Sequence, residues 1–189
     1  MKKFSQHDYD NFSIDPNGWV LCPTGDYTDI QVFHHKSDFS NSCVFRGNTT
    51  FMREVRFSYS CVFGMGARFV KSSSFGLNCM LWTEFVFGDR AVFFGPVYFG
   101  GYRTKDNNPY ISINRAGSEN RETRFFNFTD GIYVRSGCFF GKLAQFRAKV
   151  KEDCENNSED NRKKLLQYLG MANIAAITFN GEVDFEGIV

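Results

Sequence analysis

Large apolar and small residues follow one another through the middle of the chain on a six-residue period. Phe33, Phe39, Phe45, Phe51, Phe57, Phe63, Phe69, Phe75, Leu81, Phe87, Phe93 and Phe99 form one register, in which eleven of twelve positions are Phe. Four residues after each comes a second register: Ser37, Cys43, Thr49, Val55, Cys61, Ala67, Ser73, Cys79, Phe85, Ala91 and Val97, small everywhere but at Phe85. A repeat of roughly 20 to 50 residues would mean stacked helical or propeller units. A six-residue repeat means short strands wound into a coil.

Each hexad supplies one short strand and one corner, and three hexads close a triangular coil whose copies stack at about 4.8 Å. Read modulo eighteen, the large register forms three interior ladders: Phe33, Phe51, Phe69, Phe87; Phe39, Phe57, Phe75, Phe93; and Phe45, Phe63, Leu81, Phe99. The one small wall residue, Leu81, precedes the one large corner residue, Phe85, which predicts volume compensation. The predicted fold is mainly β: a parallel β-helix solenoid of about four coils over residues 33–101, with a Phe core.

Residues 1–32 read as an irregular N-terminal cap over the open strand edges, with turns at Pro16-Asn17-Gly18 and Pro23-Thr24-Gly25. Leu21 and Tyr27 fall on the hexad phase within it. Residues 102–189 follow a different grammar and read as an α+β appendage, a hairpin plus two helices. Strands are expected at Tyr110–Ile113, Thr123–Phe128 and Ile132–Arg135, the last two joined at Asp130-Gly131. Leu143, Phe146 and Val150 lie at helical spacing in Lys142–Asp153. Ser158 is placed to cap a second helix carrying Leu165, Tyr168, Leu169 and Ala172, with Glu159 and Asp160 in its first turn. The tail from Ile177 is expected to add a last strand.

Charge is balanced, 22 basic against 21 acidic residues, so no global field draws the chain to a nucleic-acid polymer or an anionic membrane. No apolar run approaches the roughly 20 residues of a membrane span. Two lysines at the start lead into no apolar segment, so a cytoplasmic chain is expected. Cys43, Cys61 and Cys79, eighteen apart, should stack at one corner, either as small apolar fillers or as a metal or redox ladder. No C-x-x-C or C…H zinc spacing is present, and no catalytic residue, metal or cofactor is assigned.

The large-then-small hexad resembles the hexapeptide repeat of left-handed parallel β-helices, over somewhat more than a third of the chain, although the usual wall residue there is Ile, Leu or Val. The best-known proteins with that repeat are trimeric acyltransferases that hold a CoA thioester in the groove between neighbouring coils and use a loop histidine as general base. That resemblance implies an acyltransferase-like alternative in which His34 or His35 would carry the chemistry. A second resemblance lies in Tyr133-Val134-Arg135-Ser136-Gly137-Cys138-Phe139-Phe140-Gly141-Lys142-Leu143, which is similar to the closing segment of small bacteriophage and prophage proteins. It implies a non-enzymatic phage-type accessory protein in the host cytoplasm. Such a protein would inhibit a host defence or regulatory protein by direct binding or by sequestering its nucleotide signal.

Two surfaces are candidates for binding. Arg103, Lys105, Arg115, Arg121, Arg124 and Arg135, interleaved with Tyr102, Tyr110 and Tyr133, could hold a phosphate-bearing ligand through guanidinium forks and ring stacking. The same residues also read, and more simply, as a solvated hairpin face paired with Glu119, Glu122 and Asp130. Val44, Val62, Met80 and Tyr98 should stack outside one wall as an apolar strip. Either the C-terminal helices or another subunit would cover it, the latter giving a homodimer or homotrimer.

Overall fold

A computed structural model describes residues 1–82, 84–88, 90–116, 121–154 and 158–180, with Arg115, Ala116 and Arg121 described in backbone only. The chain divides into two units, Met1–Asn107 and Asn108–Val189.

The first unit contains a short helix, α1 (Gln6–Asp10), and fourteen short strands: β1 (Val20–Cys22), β2 (Val32–Phe33), β3 (Ser37–Phe39), β4 (Val44–Phe45), β5 (Thr50–Phe51), β6 (Val55–Phe57), β7 (Val62–Phe63), β8 (Ala67–Phe69), β9 (Ser73–Phe75), β10 (Met80–Leu81), β11 (Phe85–Phe87), β12 (Ala91–Phe93), β13 (Tyr98–Phe99) and β14 (Tyr102–Arg103). They pair into three walls. The first is β2-β5-β8-β11, the second β1-β3-β6-β9-β12, and the third β4-β7-β10-β13-β14. Every pair is parallel except β13 with β14. The unit is therefore a parallel β-solenoid of about four coils. Register runs at eighteen residues, as in Phe33↔Phe51↔Phe69.

The interior is a column of rings. Along each ladder they lie nearly parallel, with Phe33–Phe51 at 4.9 Å and 8°, Phe39–Phe57 at 5.2 Å and 12°, and Phe45–Phe63 at 5.0 Å and 8°. Between ladders they meet edge to face, as at Phe57–Phe63, 4.6 Å and 84°. Both geometries are favourable for a ring quadrupole and add about 0.5–1.5 kcal/mol per pair beyond burial. The expected compensation at the third ladder is present. Leu81 leaves a gap, and Phe85, buried at its corner, stacks on Phe99 at 5.1 Å and 26°.

Corners turn through backbone conformations that few side chains accept. Ser42, Ser60 and Asn78 all sit in the left-handed region, at φ 57°, 56° and 58°, each just before a stacked cysteine. At the next corner, Gly64 lies so close to the backbone of Arg46 and Gly47 in the coil below that a Cβ would collide with both.

The N-terminal segment is more ordered than its composition suggests. Ser5 caps α1 in a reciprocal box with Asp8, and α1 carries Tyr9 onto Phe33 at 5.0 Å and 88°. Tyr27 continues the third ladder, stacked on Phe45 at 5.5 Å and 18°. Phe4 and Phe12 complete an aromatic lid. The strand β1 joins the second wall one residue out of phase, Val20↔Ser37 and Cys22↔Phe39. Leu21, on the hexad phase by sequence, therefore pairs with Asp38 and faces solvent, while Cys22 points inward. The corner after β1, Pro23-Thr24-Gly25, is one residue short, and a one-residue slip exchanges the two faces of a strand.

At the far end Gly100 and Gly101, with φ 57° and 90°, reverse the chain into β14. Buried Thr104 then ties back to Val97, its hydroxyl accepting from the Val97 N–H at 2.9 Å.

The second unit is a four-stranded antiparallel sheet, β15 (Tyr110–Ala116), β16 (Arg121–Phe128), β17 (Gly131–Ser136) and β18 (Phe139–Lys142), followed by helices α2 (Leu143–Asp153) and α3 (Glu159–Asn180). The predicted hairpin and both helices are present, and the Asn161 N–H donates to the Ser158 hydroxyl, 3.3 Å, as expected of a cap. Phe125, Ile132 and Val134 on one sheet face pack with Phe146, Val150, Met171 and Ala175. The expected final strand from Ile177 is corrected. Ile177–Asn180 are the last turn of α3, whose apolar stripe continues through Ala175 and Phe179 into the core. Residues 181–189 lie outside the described residues.

The ring column yields a double-mutant test. Phe85→Ala should cost about 3–5 kcal/mol and Leu81→Phe about 1–3 kcal/mol by overpacking. The double variant should recover part of the sum, because the ring introduced at position 81 fills the space that Phe85 vacates. Urea unfolding of all four proteins measures the coupling, and simple additivity would refute the compensation.

Candidate functional site

Outward-facing side chains of the solenoid stack in columns eighteen residues apart, so each wall has its own chemistry. The second wall shows Asp38, Arg56 and Ser74 in register. There the Arg56 guanidinium lies 4.0 Å over the Trp19 ring, and burial raises the Asp38 carboxyl despite that nearby cation. The first wall mixes Val32, Thr50, Arg68 and Val86. The third wall is different. Val44, Val62, Met80 and Tyr98 stand in one register and are half-buried.

The strip predicted from sequence therefore exists as a column, and it has flanks that the spacing of the strip alone does not reveal. Beside it, at the corner entering the wall, stack Tyr59 and Leu77, 55% and 42% exposed. At the corner leaving it lie Met65 and Trp82, 56% and 46% exposed. Eight apolar side chains thus occupy the strip and its flanks. The flanks are only weakly marked in the sequence: Tyr59 and Leu77 share the column 41, 59, 77, but Trp82 (46, 64, 82) and Met65 (47, 65, 83) lie in different columns whose other members are polar or glycine.

The basic cluster divides. Tyr102 and Arg103, both exposed in β14, belong to the first unit, as does exposed Lys105. Arg124 and Arg135 face each other across β16 and β17, with Tyr110 and Tyr133 in the adjacent row on the same sheet face. Arg124 is bound to Glu122 at 2.6 Å, so part of its charge is already neutralised. Arg121 pairs with Ala116 at the strand ends, and the side chains of Arg115 and Arg121 lie outside the described residues, as does Glu119. The sheet thus brings together two of the predicted arginines with two tyrosines.

His34 and His35 occupy the exposed three-residue corner between β2 and β3. The His35 ring rests 6.0 Å from Tyr9, whose hydroxyl is held by Ser37 at 2.7 Å.

The three stacked thiols are fully buried, and each donates to a backbone carbonyl: Cys43 to Ser40 at 3.1 Å, Cys61 to Ser40 at 3.4 Å and Cys79 to Ser58 at 3.1 Å. The neighbouring Cys61 thiol and burial together push Cys43 up, and burial does the same to Cys22. Cys61, drawn down by Cys43 but pushed up by Cys79 and burial, lies at about 12. Among the described residues no group of three His, Cys, Asp or Glu side chains could hold a metal ion. Compact thiols that donate to carbonyls fill these corners, with Cys79 drawn down by its Cys61 neighbour while Cys43 and Cys61 are raised.

No helix among the described residues is long and apolar enough to cross a membrane. Comparison with protein-family models, with curated proteins and with solved structures gives no match.

The thiol column sets a pH dependence. For Cys22, Cys43 and Cys61, folded values above the free-thiol range of about 8.5 mean that the unfolded chain releases these protons first. Their contribution to stability should be constant below about pH 8.5 and fall as pH rises above it, by up to about 1.4 kcal/mol per pH unit for each such thiol. Cys43→Ala should flatten that decline. In labelling, maleimide should modify exposed Cys138 in the native protein and reach Cys22, Cys43, Cys61 and Cys79 only on unfolding. Fast native modification of Cys61 would contradict the buried column.

Proposed function

We propose that the chain is a non-enzymatic binding protein that docks a partner protein on the third wall of its solenoid. The observation that carries this reading is the apolar face built from Val62, Met80, Tyr98, Tyr59, Leu77 and Trp82, set beside two walls of mixed or polar chemistry. Contiguous exposed apolar surface of this kind marks interaction sites. A stacked-ring interior supports it by keeping the face rigid, which lowers the ordering cost of association. The resemblance of Tyr133–Leu143 to phage-encoded closing segments supports a host defence or regulatory protein as the partner, met in the host cytoplasm. A second copy of the chain, giving a dimer or trimer, would compete for the same wall.

A second reading rests on the sheet of the second unit. Arg124 and Arg135 side by side, with Tyr110 and Tyr133 in the next row, could take a phosphate and a base. Capture of a nucleotide signal would then replace protein docking.

The two readings separate experimentally. Met80→Asp/Trp82→Asp should leave the thermal transition in place and weaken partner capture by about 2 kcal/mol or more, roughly thirtyfold in Kd. Arg124→Ala/Arg135→Ala should capture the partner as the parent does. Calorimetry with cyclic and linear nucleotides is expected to give no heat. A nucleotide signal abolished by the double Arg variant would move the function to the sheet.

A further inference from the structure

In the second unit, a cavity of about 660 Å³ opens between the β17–β18 turn and the two helices. Small-molecule sites have this size and are largely apolar with a few polar groups. The floor is Phe139, Phe146, Val150 and Tyr168. The Phe146 ring lies 5.5 Å from Phe139 and meets Tyr168 edge-on at 5.8 Å.

Two ammonium groups line the cavity, and they are not equivalent. Lys149 is committed to Asp153 at 2.7 Å and to Glu152 at 3.4 Å. Lys164 is half-buried and, among the described residues, forms no ion pair. An anion seated beside a lysine that has no other ion partner gains a charge-assisted contact. One compact cation next to aromatic rings suits a single negative charge, whereas a polyphosphate calls for planar guanidinium forks.

We propose that this cavity binds a small amphipathic carboxylate, with its alkyl or aryl body on the Phe146–Tyr168 floor and its carboxylate on the Lys164 ammonium. The site is lined by residues of the second unit alone and does not rest on the docking reading. Cys138, exposed and lining the same cavity, reports its occupancy.

The test is calorimetry of the full chain with octanoate and with octanol as its uncharged counterpart. Octanoate should saturate a single site and bind about tenfold more tightly than octanol, as expected of one partly exposed charge-assisted contact. Lys164→Met should lower octanoate affinity about tenfold and erase the preference, and Lys164→Arg should keep it. Saturating octanoate should slow alkylation of Cys138, while Met80→Asp/Trp82→Asp should leave octanoate binding unchanged. Equal affinities for octanoate and octanol, no effect of Lys164→Met, or an unaltered Cys138 rate at saturation would overturn the proposal.

Discussion

The structure depends on a match between two lengths. Parallel strands stack at about 4.8 Å, and the rings inside this solenoid repeat at 4.9, 5.0 and 5.2 Å along its three ladders. Parallel rings touch when their carbons are about 3.5–4.0 Å apart. A centroid separation near 5 Å therefore requires the rings to be offset, and offset stacking is the parallel arrangement their quadrupoles favour. The hydrogen-bonded rise of one coil thus sets each ring in an attractive position over its counterpart one coil below. Three ladders facing one another meet edge to face, so the two preferred aromatic geometries fill one cross-section.

That commensurability explains both the monotony of the repeat and its single lapse. An aliphatic wall residue leaves space that a neighbour must fill, and at Leu81 the neighbour is Phe85, drawn in from a corner position. Corners are small elsewhere because a ring there would compete with the ladders. The cysteines belong to the same logic, being slightly apolar, compact and able to donate to the carbonyls that the turn leaves pointing inward.

Much of the fold is legible in the sequence because a six-residue period with one residue type is a strong signal. The solenoid, its ladders, the Leu81–Phe85 exchange, the hairpin and both helices can be read from spacing. Three features cannot. The shift at Leu21 arises from a corner one residue short, which no hydrophobic pattern announces. The strand β18 hides in Phe139–Lys142, too short for alternation to register. The end of α3 reads as strand because Ile177, Thr178 and Phe179 favour strands locally, whereas Ala175 and Phe179 bury in the core beside the sheet and hold the helix. For the candidate sites, sequence places the strip on the third wall but not its flanks. It also groups arginines that the fold distributes over two units.

The aromatic lid acts as a chain terminator. A column of identical rings with strand edges at its end is a template, open in principle to the strand of another molecule in the way a fibril end is. Here the first full coil meets Tyr9 at 88°, perpendicular to the stack, and β1 pairs a residue out of phase. On these two walls an incoming molecule would find neither a parallel ring to copy nor a register to continue, and on the third Tyr27, which continues the ladder, is covered by Phe4 and Phe12. The same repetition that makes the interior simple to extend is thus stopped by two local breaks of symmetry, one in ring orientation and one in strand phase.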